Sequence, residues 1–436
     1  MRTKSVKQPK VNVITLGCSK NIVDSEVIMA QLKASDFDVE HEAQKDDSDI
    51  VIINTCGFIE NAKQESIDTI LRYAEEKSQG NLEKLYVTGC LSHRYKDELS
   101  SEIPEVDAWF GTLELPNLLR TVGADYKHEL LGERLQTTPK HFAYVKISEG
   151  CNRPCSFCAI PLMRGNHVSK PMELLETEVK NLVKNGTKEI MLIAQDSTYY
   201  GLDLYGERKL GELMKRLSDV EGLDWMRLHY AYPSQFPTDV LDVIRERDNI
   251  CKYLDMPIQH ITDNVLKSMR RGITKRRTLE LIKEIREKVP GIALRTTILV
   301  GHPGETEQDF EELMNALQEI KFERLGVFTY SHEDNTHAYS LDDIIPEEEK
   351  QRRANAIMEQ QMDISYSFNQ SLVGTTQKVL FDRLENDHFV GRTQFDSPEV
   401  DNEVWLPVNG NYLRIGDFQN VKISAASHYD LTGEWL

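Results

Sequence analysis

The sequence predicts an α/β protein in three parts: an N-terminal parallel α/β sheet domain, a central partial (βα)6 barrel and a small C-terminal β-barrel. Three observations predict it. Apolar, β-branched runs alternate with helically periodic segments in the first third of the chain, and the alternation resumes near residue 142 with six strand-like runs. From about residue 374 helical patterning gives way to short alternating strands. At 436 residues the chain exceeds what a single core usually organises. The expected domains are 1–130, 137–371 and 372–436.

In the first part, three buried-strand runs each end on a cysteine: Val11 to Cys18, Ile50 to Cys56 and Leu85 to Cys90. Each precedes a helical segment, at 24–34, 62–77 and 94–103. Strand followed by helix, repeated, means a parallel sheet whose strands finish on one edge. The three thiols should therefore meet at that edge. Gly17, Gly57 and Gly89 flank them and would let backbone approach a bulky group. The alternative is three buried cysteines acting as small hydrophobes.

The second part opens with Glu149-Gly150-Cys151-Asn152-Arg153-Pro154-Cys155-Ser156-Phe157-Cys158. A C-x-x-x-C-x-x-C triplet offers an iron-sulfur cluster three thiolates and leaves one iron open to a substrate or cofactor, which points to catalysis. It differs from the paired C-x-x-C of zinc sites, the alternative being a zinc knuckle short of one ligand. These cysteines follow the first barrel strand, Phe142 to Ser148, on the face where parallel barrels keep their active sites. Later strands are expected near 189, 225, 253, 292 and 324, with helices at 171–185, 277–288, 307–320 and 347–370. Gln195 and Asp196 follow the second strand and Arg295 lies in the fifth strand or near its end, on the expected functional face, as candidate cofactor or substrate contacts, or as loop caps.

Other features carry no function. Lys209 to Leu217 and the acidic run at Glu347 read as solvated helix faces, the stretch from His332 to His337 as a surface loop, and Cys251 as a partly buried structural thiol. Seven cysteines, an odd number, and a polar start without an apolar core argue against secretion and disulfides. A soluble protein of the cytoplasm is expected. The formal charge of −19 disfavours general phosphate binding and favours a basic partner. In residues 374–436 five basic residues face ten acidic ones, so this barrel is read as a poor RNA binder and a seat for a basic protein, unless the acids are merely solubilising.

The second cysteine triplet, with Phe157 before its last thiol, resembles the cluster motif of radical S-adenosylmethionine enzymes. Over essentially its whole length the chain resembles the methylthiotransferases of that superfamily, which combine a three-cysteine domain, a radical barrel and a TRAM domain. Residues 17–26, 161–165 (Pro-Leu-Met-Arg-Gly), 194–201 and 255–260 resemble the branch that modifies ribosomal protein S-twelve. His302 departs from the aromatic more usual in that position. The resemblance implies two 4Fe-4S clusters, on Cys18, Cys56 and Cys90 and on Cys151, Cys155 and Cys158, and S-adenosylmethionine on the open iron of the second. It implies a radical that takes hydrogen from an aspartate β-carbon, which then receives sulfur from the first cluster and a methyl group from a second S-adenosylmethionine. No general base is required. The implied partners are ribosomal protein S-twelve or the small ribosomal subunit and an electron donor such as flavodoxin or ferredoxin. The alternatives are a methylthiotransferase acting on transfer-RNA adenosine and a non-catalytic iron-sulfur or zinc protein that binds ribosomes.

Overall fold

The computed structural model describes residues 8–43, 47–130, 132–342 and 344–436. The polar start at residues 1–7 and residue 131 of the connector lie outside them. The chain forms two compact units: residues 1–138, 144–152 and 159–181 in one, residues 139–143, 153–158 and 182–436 in the other. The division runs through the cysteine triplet, so Cys151 belongs to the first unit and Cys155 and Cys158 to the second.

The first unit is built on β1 (Lys10–Thr15), β2 (Asp38–His41), β3 (Ile50–Thr55), β4 (Lys84–Gly89) and β5 (Ala108–Trp109), all parallel, in the order β2-β1-β3-β4-β5. Alternation along each strand serves both faces. Val51 and Ile53 pack with Ile70 and Tyr73 of α2 (Glu60–Ser78) and Leu91 of α3 (Cys90–Glu102). Ile50 and Ile52 face Ile28 and Leu32 of α1 (Ser19–Lys33) and Leu118 of α4 (Leu115–Val122). A sheet covered on both faces needs the near-continuous apolar strands seen in the sequence. Each such residue contributes about 1.5–3 kcal/mol on burial.

The barrel's first strand, β6 (Phe142–Lys146), is followed in the first unit by the short antiparallel pair β7 (Ser148–Glu149) and β8 (Val168–Ser169), with α5 (Ile160–Arg164) between them and α6 (Met172–Lys184) after them. In the second unit come β9 (Glu189–Ile193), β10 (Trp225–Leu228), β11 (Ile250–Asp255), β12 (Ala293–Val300) and β13 (Arg324–Thr329), paired parallel. With β6 they form an open sheet of six, so the expected partial barrel is present. Its helices are α7 (Leu210–Ser218), α8 (Asp239–Glu246), α9 (Asp263–Ser268), α10 (Lys275–Lys288), α11 (Glu307–Ile320) and α12 (Glu347–Leu372). The chain ends in a closed barrel of β14 (Thr376–Glu385), β15 (His388–Arg392), β16 (Glu403–Pro407), β17 (Phe418–Ala426) and β18 (Asp430–Trp435). Among the described residues no helix is long and apolar enough to cross a membrane.

Three readings of the sequence need correction. Helix α7 is not simply solvated, because Leu210, Leu213, Met214 and Leu217 are buried. The 332–337 stretch is not all surface, since Glu333 and Thr336 are buried. Cys251 is fully buried against Trp225 and Tyr253. The acidity of the C-terminal barrel is partly spent within the protein: of its ten acidic residues Asp396 is buried, six are half-buried and Asp387, Glu399 and Glu434 are exposed, against three exposed bases, Lys378, Arg414 and Lys422. Asp382 pairs with Arg392, Asp396 with Arg324, Asp401 with Arg295 and Glu403 with Arg383. Charge counted along a chain overstates the surface field where the carboxylates are spent on ion pairs.

Candidate active site

In the first unit β1, β3 and β4 are adjacent and parallel, so Cys18, Cys56 and Cys90 leave the sheet on one edge. Cys18 caps α1, its carbonyl accepting from Asn21 and Ile22 N–H at 2.8 and 3.2 Å. Cys56 N–H donates to Ser66 Oγ at 3.1 Å, and Ser66 Oγ donates back to Cys56 O at 2.9 Å. Cys90 opens α3. Gly17 has φ +94°, and a Cβ there would lie 2.7 Å from Cys56 Cβ and 2.9 Å from Cys56 Sγ. The loops carrying the first two thiols therefore touch, and only glycine fits between them.

Burial pushes the Cys90 thiol up to about 12 and raises that of Cys56. Bare thiols in this setting keep their protons, and a metal that binds them must displace those protons. The counter-charge is already present. Arg164, at the end of α5 and 1% exposed, puts its positive charge close enough to the Cys90 thiol to oppose the effect of burial. Among the described residues no three His, Cys, Asp or Glu side chains converge on a single ion. Each thiolate of a cubane binds a different iron, so a trio serving one need not converge on a single point. An all-thiol donor set, a close-packed glycine and a buried cation suit such a cluster.

The same arginine joins two stretches of sequence. It donates to Asp24 Oδ2 at 3.1 Å, to Glu149 Oε1 at 2.9 Å and to Asn21 Oδ1. Lys146 completes the set, bonding Asp24 and Glu149. Burial alone would raise the Glu149 pKa, but Lys146 and Arg164 outweigh it and hold the carboxyl below its usual range. Asn21 Nδ2 donates to Leu16 O and Thr55 O at 2.6 and 3.0 Å, which ties together the backbone before Cys18 and before Cys56. Cys151 N–H donates to Gly165 O at 3.1 Å. Gly150 has φ +68°, and a Cβ there would lie 2.1 Å from Asn166 O, so this turn also demands glycine.

In the second unit Cys158 N–H donates to Cys155 O at 3.2 Å. Phe157 lies edge-on to His302, ring centroids 6.3 Å apart, and His302 Nε2 is 3.2 Å from Ser156 Oγ. Gln195, following β9, is half-buried. Asp196 is buried; its Oδ1 accepts from Thr198 N–H at 2.9 Å, and its Oδ2 holds Arg153 at 2.7 Å. Arg295 lies between Asp255 and Asp401, 3.3 Å from each. Asp196 and Arg295 are thus engaged by protein partners, and Arg295, expected near the end of its strand, instead lies near the start of β12. Reasoning from sequence missed Tyr232 and Arg271, whose proximity to Cys155 depends on contacts 77 and 116 positions away. No local signal marked either.

Comparison with known proteins agrees with this architecture. Residues 10–111 match Uncharacterized protein family UPF0004, 145–317 the Radical SAM superfamily and 373–436 the TRAM domain. Among solved structures, the radical S-adenosylmethionine methyltransferase TsrM from Kitasatospora setae aligns with a TM-score of 0.53 at 15% identity, covering 74% of this chain and 75% of that one. The cobalamin-dependent S-adenosylmethionine radical enzyme OxsB aligns at 0.53 and 12%, covering 80% and 56%. At such identities the likeness is one of fold. Fold and family matches together define a radical S-adenosylmethionine enzyme, a methylthiotransferase. Ribosomal protein uS12 methylthiotransferase RimO of Cytophaga hutchinsonii is 61% identical over 434 residues, covering 100% of this chain and 99% of its own length. The enzymes of the same name from Flavobacterium johnsoniae and Bacteroides fragilis are 59% and 52% identical, covering 100% and 98% of this chain and all of their own. The chain belongs to the RimO family.

Proposed function

We propose that the enzyme adds a methylthio group to the β-carbon of an aspartate in ribosomal protein uS12, with a 4Fe-4S cluster on Cys18, Cys56 and Cys90, a second on Cys151, Cys155 and Cys158, and S-adenosylmethionine. The observation that carries this reading is the convergence of three strand ends bearing Cys18, Cys56 and Cys90, wired through Asn21 and Arg164 to the segment bearing Cys151. An aspartate β-carbon is too weakly acidic for a side-chain base. When bound, the clusters and S-adenosylmethionine supply one-electron chemistry, hydrogen abstraction and sulfur, which side chains cannot.

The work of the chain is to hold and exclude. Asn21 fixes two of the cysteine loops, and Arg164 keeps a permanent positive charge beside Cys90. Phe157, Gln195, Asp196 and Arg295 are the candidate S-adenosylmethionine or substrate contacts; of these, Gln195 and Asp196 directly follow β9, at the end of a strand where parallel barrels hold ligands, whereas Arg295 lies near the start of β12. Residues 1–130, 137–371 and 372–436 act as cluster, radical and accessory modules. The partners are uS12, free or in the small ribosomal subunit, and an electron donor such as flavodoxin or ferredoxin, in the cytoplasm. Direct RNA binding by the C-terminal barrel is no part of this reading: phosphate backbones need a basic excess, and its exposed and half-buried charges are nine acidic against four basic.

The test is anaerobic reaction of the reconstituted enzyme with S-adenosylmethionine, reductant and either uS12 or transfer RNA, read by mass spectrometry. A methylthio increment on a uS12 aspartate supports the proposal. An increment on adenosine alone, or no S-adenosylmethionine cleavage, overturns it.

A further inference from the structure

Within the second unit, Cys155 is held by two side chains brought from distant segments. Arg271, 4% exposed, donates from Nη1 to Cys155 Sγ at 3.3 Å and from Nη2 to Pro257 O. Its guanidinium lies 4.1 Å from the centroid of the Tyr232 ring, as does that of Arg153. Tyr232 Oη is 3.5 Å from Cys155 Sγ and donates to Arg271 O at 2.9 Å. Arg153 is in turn fixed by Asp196 at 2.7 Å. The aromatic shelf and the Pro257 carbonyl hold Arg271 with an N–H aimed at sulfur. An arginine cannot shed its proton at any working pH, so this donor is permanent.

We infer that Arg271 is a positioning residue for the radical chemistry: its charged N–H···S bond to Cys155 sets how readily the cluster held by that thiolate accepts an electron. The inference rests on the reading of Cys155 as a cluster ligand. Reduction adds negative charge to the cluster, and a fixed cation bonded to one of its sulfurs stabilises the reduced form more than the oxidised one. Because electron entry precedes S-adenosylmethionine cleavage, losing the bond slows cleavage without removing any group that touches the substrate.

The full-length, anaerobically reconstituted enzyme tests this with Arg271→Gln and Arg271→Lys. The readout is the midpoint potential of the reduced-cluster electron paramagnetic resonance signal that shifts on adding S-adenosylmethionine. In Arg271→Gln the potential becomes more negative and cleavage falls about 10–100-fold, with iron content unchanged, since the thiolates hold the cluster. Arg271→Lys, which keeps the charge but not the planar fork, lies between that variant and the unaltered enzyme. An unaltered potential in Arg271→Gln, or loss of iron from both variants, overturns the inference. Absence of any S-adenosylmethionine-sensitive signal in the unaltered enzyme would instead sink the ligand reading on which it rests.

Discussion

Arg164 Nη1 donates to Asp24 Oδ2 at 3.1 Å across 140 positions of sequence. Asp24 lies in the helix that follows Cys18, and Arg164 closes the helix that follows Cys158. Because the same guanidinium also bonds Glu149 and Asn21, one buried cation organises the residues around Cys90 and the strand leading to Cys151. Replacing it with methionine leaves carboxylates facing Lys146 alone. Arg164→Met should therefore destabilise the metal-free chain by about 3 kcal/mol in urea unfolding, with Arg164→Lys recovering less than half for want of the fork. A loss below about 1 kcal/mol, the scale of an exposed ion pair, would count against a structural role for this network.

Gly17→Ala should act more locally. Its Cβ would press on Cys56, and the positive φ adds backbone strain. Iron retained per chain should fall by about four, the content of one cluster, while S-adenosylmethionine cleavage persists. Full iron in Gly17→Ala would mean that the Cys56 loop moves freely and takes no part in a tight site.

Glu189 is fully buried between two arginines, Arg227 at 3.0 Å and Arg392 at 2.8 Å. Neutralising the shared carboxylate leaves Arg392 with Asp382 alone and Arg227 with backbone carbonyls in place of a counter-charge. Glu189→Gln should cost about 3–5 kcal/mol by chemical denaturation, far more than a surface pair such as Arg245 with Asp242.

Asp382 gives a pH signature. Burial raises its pKa, but Arg392 and His141 more than reverse this and bring it from an ordinary 3.8 to about 2. A carboxyl depressed in the folded state stabilises the fold above its unfolded value, and that contribution disappears as pH falls through the folded value. The loss should be on the order of 2 kcal/mol between about pH 4 and pH 2. Asp382→Asn, already weakened at neutral pH, should show a correspondingly flatter stability profile over that interval.

Much of the fold can be read from the sequence because parallel strands are buried on both faces and so advertise themselves. The six central strands start at or within a few residues of the expected places, and β15 runs from His388 to Arg392 as the alternation indicates. The weak edges escaped: β2 is short and polar, and β5 is a two-residue strand. The edge position of Cys18, Cys56 and Cys90 followed from strand order alone, whereas the wiring around them did not. Arg164 stood inside a quoted motif without a role, since its partners lie far off in sequence. Arg271 looked like any cation after a helix. Nor can composition distinguish a carboxylate in water from Asp396 beneath Arg324.

The central claim is that the chain carries two clusters, one on each cysteine triplet. The most direct measurement is iron and acid-labile sulfide per chain in anaerobically prepared enzyme, beside chains with Cys18, Cys56 and Cys90 or Cys151, Cys155 and Cys158 all changed to alanine. The account predicts about eight irons in the unaltered chain and about four in each variant, with S-adenosylmethionine cleavage retained only where the second triplet is intact. About four irons in the unaltered chain, or zinc in their place, would contradict it.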